Sequence, residues 1–166
     1  MSQVVLKLGD DVSTDTIYPG RFMATVLPDE TPQYAFADQA GFRARLQAGG
    51  IPPGSFVVGG RNFGCGSSRE QAASCLKGHE LIVVARHFAR IFLQNSVNLG
   101  LQTVTCPGIE AVESDSIDIT PNAVVNTTSG KSYSIIPLSQ ARQEIVEAGG
   151  LIPYSRKRVL AKARAR

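Results

Sequence analysis

The sequence is poor in several residue types that mark particular classes of protein. It has no tryptophan, two histidines and three cysteines in 166 residues. Cys65, Cys75 and Cys106 are odd in number and lack paired spacing, which argues against a disulfide framework or a zinc site. There is also no C-x-x-C pair that could begin an iron–sulfur ligand set. We therefore expect buried or neutral thiols, and no metal or cofactor bound by this chain.

Long apolar runs are also missing. No segment approaches the roughly 18 apolar residues that span a bilayer. The first residues, MSQVVLKLGDD, lack the basic region and apolar stretch of a secretory signal. A cytoplasmic protein without membrane association is the expectation, and 43% hydrophobic residues suffice for one compact domain.

Acidic residues are missing from the last eleven positions, which hold six lysines and arginines. The rest of the chain, residues 1–155, has 11 cations against 14 anions, a net charge of −3. The basic character thus belongs to a tail, residues 156–166, and not to a face of the fold. Such a tail is typical of a solvated, frayed terminus, with contact to nucleic acid as the alternative.

Hydrophobic periodicity predicts alternating strands and helices. Strands are predicted at residues 4–8, 55–60, 81–85, 102–106, 116–120, 123–128 and 131–136, with a hairpin turn at Ser129-Gly130. Helices are predicted at 34–48, from 68 onward, at 87–100 and at 139–148. The central βαβ order indicates an α/β fold with a mixed, partly parallel sheet.

A glycine-rich loop, GCGSSRE, joins a predicted strand to a helix and is the most informative segment. A helix N-terminus favours an anion, Gly64 and Gly66 allow a ligand close to the backbone, and Arg69 matches a carboxylate or phosphate. These features predict an anion-binding turn with a catalytic serine. The alternative is structural: Ser67 caps the helix and Glu70 completes a capping box. Both can hold together.

The segments NFGCGSSREQAA, LIVVARHFARIFLQNSVNLGL and GDDVSTDTIYPGRF carry a family resemblance. Together they resemble the swivel domain of the aconitase superfamily, and most of all its separate small subunits of 3-isopropylmalate dehydratase type. The resemblance covers about residues 4–155. It implies a single swivelling β/β/α domain over residues 1–155, followed by the basic tail at 156–166.

The resemblance also implies a hydro-lyase mechanism. By position in the motif, Ser67 is the base that removes or returns the proton alpha to a carboxylate. Ser68, Arg69 and Gly66 resemble the residues that hold a substrate carboxylate, and Asp15 matches an active-site aspartate. Spacing alone favours a turn or cap role for Asp15 nearly as much.

The family binds a [4Fe–4S] cluster through cysteines of a large subunit. An iron of this cluster acts as a Lewis acid. The resemblance therefore implies a heterodimer or higher assembly with an iron–sulfur partner and a hydroxy-di- or tricarboxylate substrate, as in leucine biosynthesis. The chain is expected to be inactive alone.

A loop after Pro19-Gly20 resembles the family segment that contacts the distinguishing substituent of the substrate. It comprises Arg21, Phe22, Met23, Ala24 and Thr25. Homoaconitase-like members carry an arginine at the position of Ala24. An apolar residue cannot pair a distal carboxylate, so 2-isopropylmalate, citramalate or dimethylmalate is favoured over homoaconitate. Arg21 could still reach inward.

The remaining polar residues receive structural interpretations. His79 and His87 have no ligand spacing and are expected at the surface or in packing. Arg86 and Arg90 are predicted four residues apart on a solvated or interface face of one helix. Asn95 and Asn98 could support the loop by hydrogen bonds, but the sequence leaves this open. A non-enzymatic RNA- or anion-binding module is the alternative function, but the net charge of −3 outside the tail disfavours nucleic acid.

Overall fold

The computed structural model describes residues 2–164. Seven strands form one sheet: β1 (Ser2–Lys7), β2 (Phe56–Gly59), β3 (Ile82–Ala85), β4 (Thr103–Thr105), β5 (Ser116–Ile119), β6 (Ala123–Asn126) and β7 (Lys131–Ser134). The α-helices are α1 (Thr14–Ile17), α2 (Ala40–Gln47), α3 (Glu70–Gly78), α4 (Arg90–Leu99), α5 (Gln140–Glu147) and α6 (Leu151–Arg164). Short 3-10 helices lie at Gly20–Phe22 and Thr31–Tyr34.

The sheet has the order β4-β3-β2-β1-β5-β6-β7. Strands β1 to β4 pair in parallel, and β5 to β7 extend the sheet antiparallel from β1. Just after β7, the Ile136 N–H donates to the Thr105 carbonyl of β4 at 2.8 Å. This isolated bridge brings the two ends of the curled sheet together. The predicted α/β fold with a mixed, partly parallel sheet is confirmed.

The parallel strands are buried on both faces, which explains their near-continuous apolar sequences. On β2, Val57 belongs to a core with the helices α2, α3 and α4, whereas Phe56 and Val58 face a second core inside the curled sheet. Strand β3 divides in the same way, with Val83 in the first core and Val84 in the second. Alternation along each strand thus builds two apolar layers from one run of sequence.

The predicted hairpin between β6 and β7 is confirmed. Asn126 ends β6, and its side-chain oxygen accepts from the N–H groups of Thr128 at 3.1 Å and Ser129 at 3.0 Å. Gly130 then adopts a φ of 72°, and its N–H donates to the Asn126 carbonyl at 2.8 Å. A polar turn residue and a glycine in the left-handed region together reverse the chain.

The predicted helix at 34–48 is wrong over its first part. Only Ala40–Gln47 is α-helical, and Phe36 takes a φ of 49°. The Phe36 N–H donates to the Ile17 carbonyl at 2.8 Å, and its ring, fully buried, packs edge-on against Phe42 with centroids 5.3 Å apart. A tertiary contact therefore overrides the local helical pattern.

The predicted helix at 87–100 begins three residues later than expected, at Arg90. The Phe63 N–H donates to the His87 carbonyl at 2.9 Å, and the Ala89 N–H donates to the Phe63 carbonyl at 2.9 Å. This strand-like pairing holds residues 87–89 extended. Arg86 lies outside α4, so the prediction that Arg86 and Arg90 share one helical face is wrong. The predicted stop at Gly100, with a φ of 73°, is confirmed.

The basic tail is not frayed where it is described. Helix α6 runs from Leu151 to Arg164, across the boundary predicted at residue 155. The tail's cations up to Arg164 are exposed on this helix, which contacts α4 and α5. Residues 165 and 166, like residue 1, lie outside the described residues. Within residues 2–164, no helix has the length and apolar character to cross a membrane.

Candidate active site

Three loops meet at one edge of the sheet because parallel strands end on the same side. The loop after β1 leads to Thr14 and Asp15, the loop after β2 contains Ser67 to Arg69, and the segment after β3 leads to Arg90. In a sheet with helices on its face, this edge is where ligands commonly bind. The topology therefore places the residues of two predicted motifs at a common edge.

Backbone hydrogen bonds fix the first two loops against each other. The Gly64 N–H donates to the Val12 carbonyl at 2.7 Å, and the Thr14 N–H donates to the Cys65 carbonyl at 2.8 Å. The Thr14 hydroxyl then donates to the Ser67 carbonyl at 2.8 Å. Three bonds thus determine the position of Ser67 relative to α1.

Gly64 is required by both conformation and space. Its φ is 81°, and a Cβ atom would lie 2.2 Å from Cγ of Phe92 on α4. The loop consequently packs directly on the first turn of α4. Gly66 has a φ of 88° but open surroundings, since a Cβ added there would have its nearest neighbours 3.9 Å away. Gly66 therefore leaves free space beside Ser67.

Ser67 and Ser68 are exposed, and neither hydroxyl makes a hydrogen bond with any residue in the range 2–164. The predicted capping role of Ser67 is wrong. Helix α3 begins at Glu70, its N-cap position is Arg69, and none of the side chains of residues 2–164 caps it. The N–H groups of the first turn of α3 thus lack a side-chain cap, and the serine hydroxyls are available to a ligand.

Arg69 is mostly buried, with 13% of its side chain exposed. Its Nη1 donates to Oδ1 of Asp15 and to the Tyr18 carbonyl, the latter at 3.1 Å. The Gly20 N–H donates to the same Asp15 oxygen at 2.8 Å. The Arg69 hydrogen bond, followed by that from Gly20, lowers the pKa of Asp15 below its ordinary value. The structure brings Arg69 and Asp15 together.

An open pocket of about 250 Å³ adjoins this loop. One wall is formed by the loop itself, and the other by the first turns of α4. Its lining residues are Thr14, Gly64, Gly66, Ser67, Ser68, Arg69, Ala89, Arg90, Ile91, Phe92 and Asn95. The sequence interpretation missed Arg90 and left Asn95 open, although the position of both after β3 in a βαβ unit could have placed them at this edge.

The loop of Arg21 to Thr25 lies beside this site but does not line the pocket. Arg21 forms an ion pair with Asp38, with Nη1 3.0 Å from Oδ2, and its guanidinium lies over the Phe22 ring. The ring of Phe22 stacks on Tyr34, with centroids 4.2 Å apart. Arg21 is thus engaged away from the pocket in this conformation.

The exposed part of the same loop is hydrogen-bonded to α3. Met23 and Ala24 are exposed, and the side chain of Gln71 donates to the Met23 carbonyl at 3.2 Å. The Tyr18 hydroxyl lies 3.2 Å from the Phe22 carbonyl and 3.3 Å from the Thr25 carbonyl, so it can donate to either. These bonds anchor the residues on both sides of Ala24, while the side chain of Ala24 itself faces solvent.

The cysteines do not converge on a metal site. Cys75 and Cys106 are buried, and burial raises the pKa of each thiol. Cys65 is half-buried in the serine loop. Among residues 2–164 there is no group of three or more histidine, cysteine or acidic side chains arranged to hold a metal ion. The thiols of this chain therefore do not fit an iron–sulfur cluster.

Comparison with known proteins identifies the fold. A family model described as the aconitase C-terminal domain matches residues 36–108. A crystal structure of 3-isopropylmalate dehydratase from Methanocaldococcus jannaschii superposes with a TM-score of 0.88 at 34% identity, covering 99% of this chain and 98% of that one. The fold and the serine-arginine loop thus define an aconitase-type swivel domain.

Sequence relatives identify the family, within this class, to which the chain belongs. The 3-isopropylmalate dehydratase small subunit of Methanosarcina mazei is 41% identical over 157 residues, covering 92% of this chain and 94% of its own. The isopropylmalate/citramalate isomerase small subunit of Methanocaldococcus jannaschii is 38% identical over 161 residues, with 93% of each covered. The chain belongs to the 3-isopropylmalate dehydratase small-subunit family, a family of hydro-lyase subunits.

Proposed function

We propose that this chain is the small subunit of a hydro-lyase that interconverts 2-isopropylmalate and 3-isopropylmalate by removing and re-adding water. In this proposal Ser67 moves the proton at the carbon alpha to a carboxylate. Ser68, Arg69 and the backbone at Gly66 bind that carboxylate. The observation that carries the proposal is the free hydroxyl of Ser67 in a pocket beside Arg69 and the uncapped start of α3.

A serine hydroxyl is a weak base unless its alkoxide is stabilised. The first turn of α3 presents N–H groups without a side-chain cap, and a helix N-terminus favours negative charge. The hydrogen bond from Thr14 to the Ser67 carbonyl holds the backbone in place without occupying the Ser67 hydroxyl. The position therefore suits an oxygen that carries charge during proton transfer.

Arg69 suits the carboxylate next to the reacting carbon. Asp15 and the Tyr18 carbonyl hold its Nη1, which fixes the plane of the guanidinium. Its Nε is buried and has no hydrogen-bond partner among the described residues. Because 13% of the side chain is exposed, the N–H groups that Asp15 and Tyr18 leave unused can donate to an incoming carboxylate.

We further propose that the partner is a large subunit carrying a [4Fe–4S] cluster, since the thiols of this chain do not fit one. Such a cluster supplies a Lewis-acidic iron for the departing hydroxyl group. The residues of this chain bind and orient the carboxylate, and Ser67 holds the proton. The designation of the relatives as small subunits supports a larger partner.

The loop around Ala24 supports a substrate with an apolar substituent. Ala24 offers no charge, and Arg21, the nearest cation in sequence, pairs with Asp38. A distal third carboxylate, such as that of homoaconitate, would therefore lack a partner in this loop. Isopropylmalate has no such group.

Citramalate is the second candidate substrate. The Methanocaldococcus jannaschii relative is named for both isopropylmalate and citramalate, at 38% identity to this chain. The methyl group of citramalate is smaller than isopropyl but equally uncharged. Relative kcat/KM values on the two substrates separate these candidates. One methylene group in an apolar pocket changes kcat/KM by about 10–200-fold, so the substrate that fits the pocket should have the higher value.

Reconstitution tests the proposal. The chain is co-expressed with an aconitase-type large subunit, and hydration of the unsaturated intermediate is followed by its ultraviolet absorbance. We expect activity only with both chains present, and a kcat for Ser67→Ala about 100-fold or more below wild type at unchanged subunit affinity. Ser129→Ala, in the exposed hairpin turn, is the matched control. Full activity of Ser67→Ala, or turnover by this chain alone, would contradict the proposal.

A further inference from the structure

Exposed apolar residues flank the serine loop on two sides. Met23, Val26 and Leu27 lie on the loop after the first 3-10 helix, and Ile91 lies in the first turn of α4, where it lines the pocket of the serine loop. Each of these residues is between 42% and 64% exposed, and none of the four belongs to either core. We call these four residues the apolar rim.

The first turn of α3 connects the two parts of the apolar rim. Gln71 borders a cleft of about 130 Å³ together with Val26, and its side-chain amide donates to the Met23 carbonyl at 3.2 Å. Arg69, two residues earlier, lines the larger pocket together with Ile91. The apolar rim therefore borders the candidate active site.

The loop that carries Leu27 is held against α3 by hydrogen bonds. The Leu27 carbonyl accepts from the N–H groups of Glu30 at 3.0 Å and Thr31 at 3.1 Å. Thr31 is fully buried, and its hydroxyl shares a hydrogen bond of 2.9 Å with the Ser74 hydroxyl of α3. The fold thus keeps Leu27 at the surface. An apolar side chain fixed in contact with water gains free energy when a partner covers it.

The proposed reaction determines where the partner subunit must lie. Ser67 and the metal centre of the partner act on one small substrate, so the partner has to approach within a substrate's length of the Ser67 hydroxyl. Ser67 is exposed at an open edge, and the apolar rim borders this edge on two sides. A partner that covers Ser67 and excludes water from the substrate therefore covers the rim as well.

We propose that the apolar rim is a docking surface for the large subunit and fits an apolar patch on that subunit. The proposal rests on the proposed function. A few well-buried side chains typically carry most of the affinity of an interface. A change in the rim should therefore alter the affinity for the large subunit and act equally on every substrate, unlike a change at Ala24.

The experiment measures the affinity of Leu27→Asp and Ile91→Asp for the large subunit by titration calorimetry, with wild type as the reference. We expect each variant to bind at least about 30-fold more weakly, because a carboxylate replaces an apolar side chain in the interface. Leu27 lines no part of the pocket, so Leu27→Asp at saturating large subunit should keep kcat within about twofold of wild type. Val159→Asp, at an exposed apolar residue of α6 outside the pocket, is the matched control and should bind like wild type.

Further measurements keep the outcomes distinct. Urea unfolding compares the stability of each variant with wild type, and Leu27→Ala, which adds no charge, should show a smaller loss of affinity in the same direction. Unchanged affinity in both rim variants, an equal loss in Val159→Asp, or no binding by wild type would overturn the proposal. A dimer of this chain that depends on Leu27, with unchanged affinity for the large subunit, would also overturn it.

Failure of the proposed function gives a different result. A wild-type complex whose affinity depends on the apolar rim, but which has no hydro-lyase activity, would reject the reaction and retain the docking surface.

Discussion

Arg69 donates to Asp15, a residue 54 positions earlier in the chain, and this ion pair joins the loops that follow β1 and β2. The same arginine also donates to the Tyr18 carbonyl, and the same aspartate accepts from Gly20. Asp15 therefore orients the guanidinium beside Ser67 and connects the serine loop to the Ala24 loop. We conclude that its position supports a role in orienting Arg69.

Asp15→Asn should test this positioning role. The amide retains an acceptor for the Gly20 N–H but loses the charge that holds Arg69, so the guanidinium gains freedom. We expect kcat/KM of the reconstituted enzyme to fall about 10–100-fold, because one charge-assisted hydrogen bond is lost. Asp38→Asn, which breaks the ion pair of Arg21 outside the pocket, is the matched control. Equal losses in the two variants would contradict a specific role for Asp15.

Acid stability provides an independent check on the same pair. The pKa of Asp15 is lowered in the folded chain, first by the Arg69 hydrogen bond. A carboxyl group with a depressed folded pKa stabilises the fold above its unfolded pKa, near 3.9, and loses this contribution as pH falls through the folded pKa. Urea unfolding of wild type and Asp15→Asn should therefore differ more at pH 6 than at pH 2. Since Asp15 is largely exposed, the difference should be small.

The sequence predicts the parallel core and the serine loop, because apolar runs, glycines and βα order are local signals. It fails where distant contacts decide the backbone. Phe36 leaves the predicted helix to bond with Ile17, and residues 87–89 stay extended because they pair with Phe63. The helical pattern alone predicts a solvated or interface face for Arg90. It misses the pocket for the same reason, because only the packing of α4 on Gly64 places Arg90 there.

Gly64→Ala should destabilise the fold more than any other exchange in the serine loop. The new Cβ meets Phe92 at 2.2 Å, and the φ of 81° disfavours any L-residue. Strain and overpacking together predict a loss of about 2–4 kcal/mol in the free energy of unfolding. Gly130→Ala has a φ of 72° but open space, and it should lose only the backbone part, about 1–2 kcal/mol. Equal losses by urea unfolding would show that Phe92 does not restrict the loop.

Ala24→Arg should move substrate preference toward homoaconitate. The substitution supplies a cation for a distal carboxylate in a loop anchored by Tyr18 and Gln71. We expect the ratio of kcat/KM for homoaconitate over isopropylmalate to rise at least about tenfold, as one charge-assisted contact allows. Val26→Arg, two residues further along the same exposed segment, is the control. An unchanged ratio would show that this loop does not select the substrate.

Removal of α6 should show that the candidate active site does not need the basic helix. Its residues line no part of the Ser67 pocket, so truncation after Gly150 should leave kcat and KM of the reconstituted enzyme within about twofold of wild type. Any binding of single-stranded RNA by the full chain should be weak, fall steeply with salt and disappear on truncation, because most of the cations in 156–166 lie on this helix. Fluorescence anisotropy at two salt concentrations measures this. RNA affinity that survives truncation and competes with substrate would instead place nucleic-acid binding at the serine loop and favour a non-enzymatic role.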